Sequence, residues 1–259
     1  MRRFAADHAG RIALVGLSDP MRLHGLAEAR RTLRLLRHSG LRLLPYLAAN
    51  FALPRLAGGL ARRRRAAASP PERTPLAALC RRLGLASAAV PDCNAPAFRA
   101  LLADSGAELI VTFHFDQILT AATIAAVPRG GINVHPGLLP AQRGPVPTIH
   151  ALLEPAPRFA VTLHRLVPRI DAGPILAQRS LALPPGTTAL AAARHLHLAA
   201  VPMLAETLDR LAAGAAEERV VSPLPYCGFP PAAELRRLAR DGRRIADRGD
   251  LLRALRLPA

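Results

Sequence analysis

The 259-residue, 27.5 kDa chain is long enough for one or two domains around a full core, and a composition 51% hydrophobic and 20% charged excludes wholesale disorder. Tryptophan is absent and aromatic residues make up only 3%, which counts against a stacked-base platform for single-stranded nucleic acid. The net charge of +17 comes from arginine without any lysine, and 18 of the 35 arginines fall in residues 1–107 against 6 acidic residues, so the basic character belongs to the N-terminal part.

The opening MRRFAADHAGR has arginines but no apolar run behind them, and no export signal is expected. RIALVG (Arg11–Gly16) reads as a strand, followed by a helix through Leu26, Leu33 and Leu36 that stops at Gly40. LRLLPYL (Leu41–Leu47) reads as a second strand. From about 47 to 75 the chain turns Pro-, Gly- and Arg-rich, as an inserted basic excursion would; Arg62–Arg65 form either a solvated surface or a phosphate-facing patch. Arg42, Pro45, Pro54 and Arg55 interrupt the longest apolar stretch too often for a membrane span. A helix ending near Gly84, a strand at Ala88–Val90, a helix at Pro96–Ser105 and the strand Glu108–Phe113 continue the alternation. A short helix at Thr120–Ala126 leads to GGINVHP, a strand cut off by Pro136, and Pro147–Leu153 reads as a helix opened by proline. Arg158–Leu166 and Gly173–Leu183 alternate as half-buried strands, and a long helix runs from about Thr188 to Ala213, with Pro202 as a kink and Gly214 as its stop. The sum is an α/β fold: a doubly wound, mostly parallel sheet over residues 1–214, with a short C-terminal appendage over 215–259 that can form a strand, turn and helix. Cys80, Cys93 and Cys227 make no metal-spaced pair and no even disulfide framework, so a reducing cytoplasm is expected and no metal site.

Asn133 and His135 stand two apart on a predicted strand, hence on one face, at the carboxyl end where open α/β sheets bind ligands. Asp171 lies in the turn RIDAGPI between two strands, from which it can return beside His135. An amide donor, an imidazole and a carboxylate in one cleft suit attack of an amine on a carbonyl carbon: Asn133 and a protonated His135 face the developing oxygen charge, and Asp171 holds the imidazolium and helps take a proton. Each residue also has a purely structural reading, as a packed histidine, a turn aspartate and an edge asparagine. Arg143 either holds an acceptor anion or bonds loop carbonyls, and His114 either lines a pocket or packs in its loop. His195 and His197, two apart on a helix, face different ways and do not chelate one metal.

INVHPGLLP, RGPVPTIHALL and VTLHRLVPRIDAGPIL, in that order and spacing, resemble the formyltransferases that use 10-formyltetrahydrofolate, among them the glycinamide ribonucleotide, methionyl-tRNA and amino-sugar enzymes. The resemblance covers roughly 108–214. It implies a Rossmann-like fold, a catalytic set of Asn133, His135 and Asp171, and 10-formyltetrahydrofolate as donor. It also implies a donor-binding loop at Asp116, Gln117, Ile118 and Leu119 after ELIVTFH, with Asn133 and the turn 168–171 also facing the donor. The sequence has Gly137 where many members carry serine, a change expected to alter loop flexibility, and GLSDPM in place of a Gly-rich phosphate loop. Only 45 residues follow Gly214, too few for the β-barrel usual in the tRNA enzymes. The acceptor therefore stays open between a small-molecule amine such as a nucleotide-linked amino sugar and an aminoacyl-tRNA gripped through Arg62–Arg65. A further alternative makes 41–65 an amphipathic, basic arm at a lipid surface, and a last one has the domain bind folate or hydrolyse the donor.

Overall fold

The computed structural model describes residues 1–18, 26–54 and 74–256, so Arg62–Arg65 and most of the expected insertion lie outside the described residues. Helix α1 (Arg2–Asp7) precedes strand β1 (Val15–Leu17), and helix α2 (Leu26–Ser39) ends at Gly40, whose φ of +74° suits a residue without Cβ. The run 41–47, expected as a strand, is helical instead: a 3₁₀ turn at Leu41–Leu43 leads into α3 (Leu44–Leu47) and a π-helical turn at Ala48–Ala52. A short apolar run does not distinguish strand from helix, and Pro45 decides it, because proline fits the first helical turn but breaks a ladder. Helix α4 (Leu76–Leu83) closes on the left-handed Gly84 and leads to β2 (Ser87–Ala89). There follow α5 (Pro96–Asp104), β3 (Ile110–Phe113), α6 (Ala121–Ile124), β4 (Gly131–His135), α7 (Pro147–Leu153), β5 (Phe159–Arg165) and β6 (Ile175–Leu181). Thr120 caps α6 by accepting from the Thr123 N–H. Helix α8 (Ala189–Ala212) runs through Pro202, and α9 (Ala232–Arg240) and α10 (Arg248–Arg256) complete the chain. Between α8 and α9 the chain forms no strand beyond a single bridge, Arg219 to Ile175, so the expected C-terminal strand is reduced to one residue pair. Among the described residues no helix is long and apolar enough to cross a membrane.

The chain divides into two compact units. One comprises Met1–Ala89, Pro185–Ala191 and Phe229–Ala259 and contains the parallel pair β1–β2. The other comprises Val90–Pro184 and Ala192–Gly228 and contains a four-stranded sheet in the order β3–β4–β5–β6. In that sheet β3 and β4 run parallel, whereas β4–β5 and β5–β6 are antiparallel. The α/β alternation holds, but the described pairings are evenly parallel and antiparallel rather than mostly parallel. Residues 166–174 are too few for the crossover a parallel β5–β6 pair requires, so the chain turns back as a hairpin. In this unit Ile132, Val134, Val161 and Leu163 of the sheet, Ile149 of α7 and a stripe on α8 are buried. Ala192, Leu196, Ala200 and Leu204, four apart, are fully buried, while Pro202 sits on the exposed side, where water can satisfy the carbonyl it leaves free.

Candidate active site

Strand β4 is the middle of the site. Its period of two buries Ile132 and Val134 on one face and turns Asn133 and His135 to the other. Register then aligns a row across three strands, since Asn133 pairs with Thr112 on β3 and with His164 on β5, and directly opposed residues share a face. The β5–β6 turn brings Asp171 over this row. Asp171 adopts a φ of +46°, a left-handed conformation uncommon for a residue with a side chain.

The Thr112 hydroxyl donates to Asn133 Oδ1 at 2.8 Å and thereby turns the amide nitrogen toward the cluster. Asn133 Nδ2 lies 3.2 Å from His164 Nε2 and 3.3 Å from Asp171 Oδ1. His164 Nδ1 donates to the Arg165 carbonyl at 2.9 Å, which fixes the plane of the ring. His135 Nε2 likewise donates to the Gln142 carbonyl at 2.8 Å, which leaves Nδ1 facing Asp171 Oδ1 at 3.6 Å. His164 Nε2 is 3.5 Å from the same oxygen, and the two imidazoles meet edge to face. Asp171 Oδ2 accepts the Gly144 N–H at 2.8 Å. The Asn133 amide nitrogen thus faces the His164 ring and the Asp171 carboxylate, and His135 Nδ1 faces the same carboxylate oxygen.

Burial holds the His135 imidazole below its ordinary range; the Asp171 carboxylate opposes that, and His164 adds to it. Burial also pushes the Asp171 carboxyl up, but its hydrogen bond with His164, the nearby His135 and the Gly144 N–H outweigh it, and the net displacement is downward. At neutral pH an ionised Asp171 therefore stands beside a neutral His135. Gly137 gives this ring its room: a Cβ there would lie 2.6 Å from His135 Nε2 and 2.6 Å from the Pro147 Cβ. Steric space is thus a more specific reason for glycine than loop flexibility.

The other expected residues are distributed unevenly. Gln117 bridges the Val90 carbonyl and the Cys93 N–H, and Leu119 packs with Val90 and Cys93. The Ile118 side chain is exposed while its carbonyl accepts from Asn94, and Asp116 is exposed. A cleft of about 430 Å³ opens beside this loop, lined by Ala121, Ile124, Val127, Leu166, Val167 and Pro168 among others, with none of residues 116–119 in its wall. Pro168 begins the turn that carries Asp171. His114, at the end of β3 with a φ of +48°, meets His197 edge-on at 6.1 Å between ring centres. His195 is exposed, and His197 bonds the Ala193 carbonyl of its own helix. Arg143 is 3% exposed and donates to the carbonyls of Ile170, Asp171 and Leu224, which overturns its reading as an anion holder: its donors are engaged inside the protein. Thr112 and His164 join the site without having been singled out from the sequence. The pairing of β3 and β5 with β4 at Asn133 is the signal that finds them.

The formyl transferase family model matches residues 59–208. The chain is 39% identical over 145 residues to the methionyl-tRNA formyltransferase of Roseiflexus castenholzii, which covers 56% of this chain and 46% of that protein. It is 35% identical over 142 residues to the methionyl-tRNA formyltransferase of Roseiflexus sp. strain RS-1, covering 55% and 44%. The chain thus spans a little under half the length of these curated relatives. A sugar N-formyltransferase from a Shewanella species shares the fold, with a TM-score of 0.50 at 20% identity over 83% of this chain and 76% of that one.

Proposed function

The chain belongs to the formyl transferase family, and from that premise we propose that it is an N-formyltransferase moving a formyl group from 10-formyltetrahydrofolate to a primary amine. The observation that carries this reading is the buried cluster of Asn133, His135, His164 and Asp171 at the carboxyl end of β4. The donor, when bound, supplies an electrophilic formyl carbon. An open apolar groove at Ile124, Leu166 and Pro168 runs along the start of the turn that leads to Asp171, and the donor's ring system is assigned to this side of the hairpin. Asn133 directs an amide hydrogen at the formyl oxygen as negative charge builds there. His135 accepts at Nδ1 the proton shed by the attacking amine, and Asp171 stabilises the resulting imidazolium. The same proton then goes to the departing donor nitrogen, so one carbon–nitrogen bond forms, one breaks and no net proton is lost. Thr112 and His164 hold the amide of Asn133 in line.

The test supplies 10-formyltetrahydrofolate with a panel of primary amines, nucleotide-linked amino sugars and methionyl-tRNA among them, and follows formylated product by mass spectrometry. Turnover with one acceptor class is expected, falling by about 10²–10³-fold in Asn133→Ala. A chain that neither binds the donor nor formylates any acceptor would end the proposal.

A second reading makes the acceptor an aminoacyl-tRNA. It is supported by the names of the two relatives and by the arginine excess of residues 1–107, Arg62–Arg65 included. Affinity for methionyl-tRNA should then fall steeply with salt, with a smaller slope once those four arginines are replaced by glutamine. A flat salt response excludes it.

A further inference from the structure

We propose that Arg143 is the positioning residue of Asp171, and that the segment 219–228 is the strut that holds Arg143 in place. The left-handed backbone at Asp171 is unfavourable for a residue with a side chain and persists only where its surroundings over-determine it. Arg143 supplies that constraint. Its Nε donates to the Ile170 carbonyl at 3.1 Å and the Asp171 carbonyl at 3.2 Å, and its Nη2 donates to Ile170 as well. The next residue, Gly144, donates its backbone N–H to Asp171 Oδ2 at 2.8 Å. One dipeptide therefore fixes both the backbone and the carboxylate of Asp171.

A guanidinium only 3% exposed must have its charge and donors satisfied inside the protein. The remaining contacts come from a stretch some 80 residues further along the sequence. Arg143 Nη1 donates to the Leu224 carbonyl at 2.6 Å, and the Cys227 N–H returns a bond to the Arg143 carbonyl at 2.8 Å. Gly144 permits this approach: at its φ of +129° a Cβ would stand 2.1 Å from the Cys227 carbonyl oxygen. The strut is fastened at both ends, by the Arg219–Ile175 bridge and by His150 Nε2 donating to the Gly228 carbonyl at 2.6 Å. Lysine could not replace Arg143, because a single ammonium cannot span carbonyls on two sides of the loop.

The proposal rests on the reading of Asp171 as part of the reacting cluster, but its test does not need turnover. The pH titration of the His135 ring is followed by carbon-13 NMR of histidine-labelled full chain, assigned with His135→Gln, in wild type, Asp171→Asn, Arg143→Met and Arg143→Lys. The carboxylate favours the protonated ring, so Asp171→Asn should move the titration to lower pH, and Arg143→Met should move it the same way as Asp171 leaves its seat. Loss of a nearby cation alone would move it to higher pH. Arg143→Lys keeps the charge and loses the fork, so it should also titrate lower, and it serves if the methionine variant does not fold. A folded Arg143→Met or Arg143→Lys protein whose His135 titrates as in wild type, or higher, overturns the proposal. A downward shift in a chain that formylates nothing would retain the positioning role and reject the proposed function.

Discussion

At the scale of single residues the site is governed by hydrogen-bond arithmetic. Asn133 has one acceptor and two donated hydrogens, and Thr112 takes the acceptor, so the amide cannot turn over without breaking a 2.8 Å bond. Thr112→Val keeps the shape of the side chain and removes that bond. Unfolding free energy should drop by about 1 kcal/mol in urea titration, while formyl transfer falls by roughly tenfold as the amide loses its alignment. Unchanged transfer in a folded Thr112→Val protein would remove the threonine from the site. Histidine protonation belongs to the same scale. Burial, with His114 adding to it, holds His197 down to about 3, and its Nε2 is buried without a partner.

Among the elements, the β5–β6 hairpin has the least room for change. It must return the chain antiparallel and deliver Asp171 in a left-handed conformation, and Gly173 closes it. A Cβ at Gly173 would lie 2.0 Å from the Arg165 carbonyl oxygen, a backbone atom that cannot step aside. Gly173→Ala should therefore lower stability by roughly 1–3 kcal/mol, read from the urea midpoint, and lower transfer with it. A substitution at Gly214, where a Cβ meets nothing within 4 Å, makes the contrast: only the left-handed φ of +68° opposes it. Gly214→Ala should cost about 1 kcal/mol and leave transfer unchanged. Equal effects at both glycines would mean that the hairpin turn holds no special geometry.

For the whole molecule the net charge and the buried ionisable groups set the response to pH. Below pH 6.5 the unfolded chain protonates His197, whereas the folded chain resists until about pH 3, so stability declines as the pH drops through that window. His135, also held below its ordinary range, acts in the same direction. Asp171 adds to it below the usual carboxylate value of 3.8, where the unfolded chain takes up a proton first. Thermal midpoints measured from pH 7 to pH 4 should fall steadily, and His197→Leu should flatten the curve. A wild-type midpoint that rises on acidification would contradict this assignment. Composition, periodicity and the proline and glycine stops suffice to read most helices and strands of the chain, because those signals are local: Gly40, Gly84 and Gly214 each end a helix at its expected place. Spacing by two likewise puts Asn133 and His135 on one face from sequence alone. The strand direction of β5 and β6 and the helical turn at 44–47 depend on what packs beside them. So do the entry of Thr112 and His164 into the site and the conversion of Arg143 from a candidate anion ligand into an internal brace. Residues 143, 171 and 224 are far apart in the chain, and hydrogen bonds between such positions exist only once the sheet register and the returning segment have brought them together.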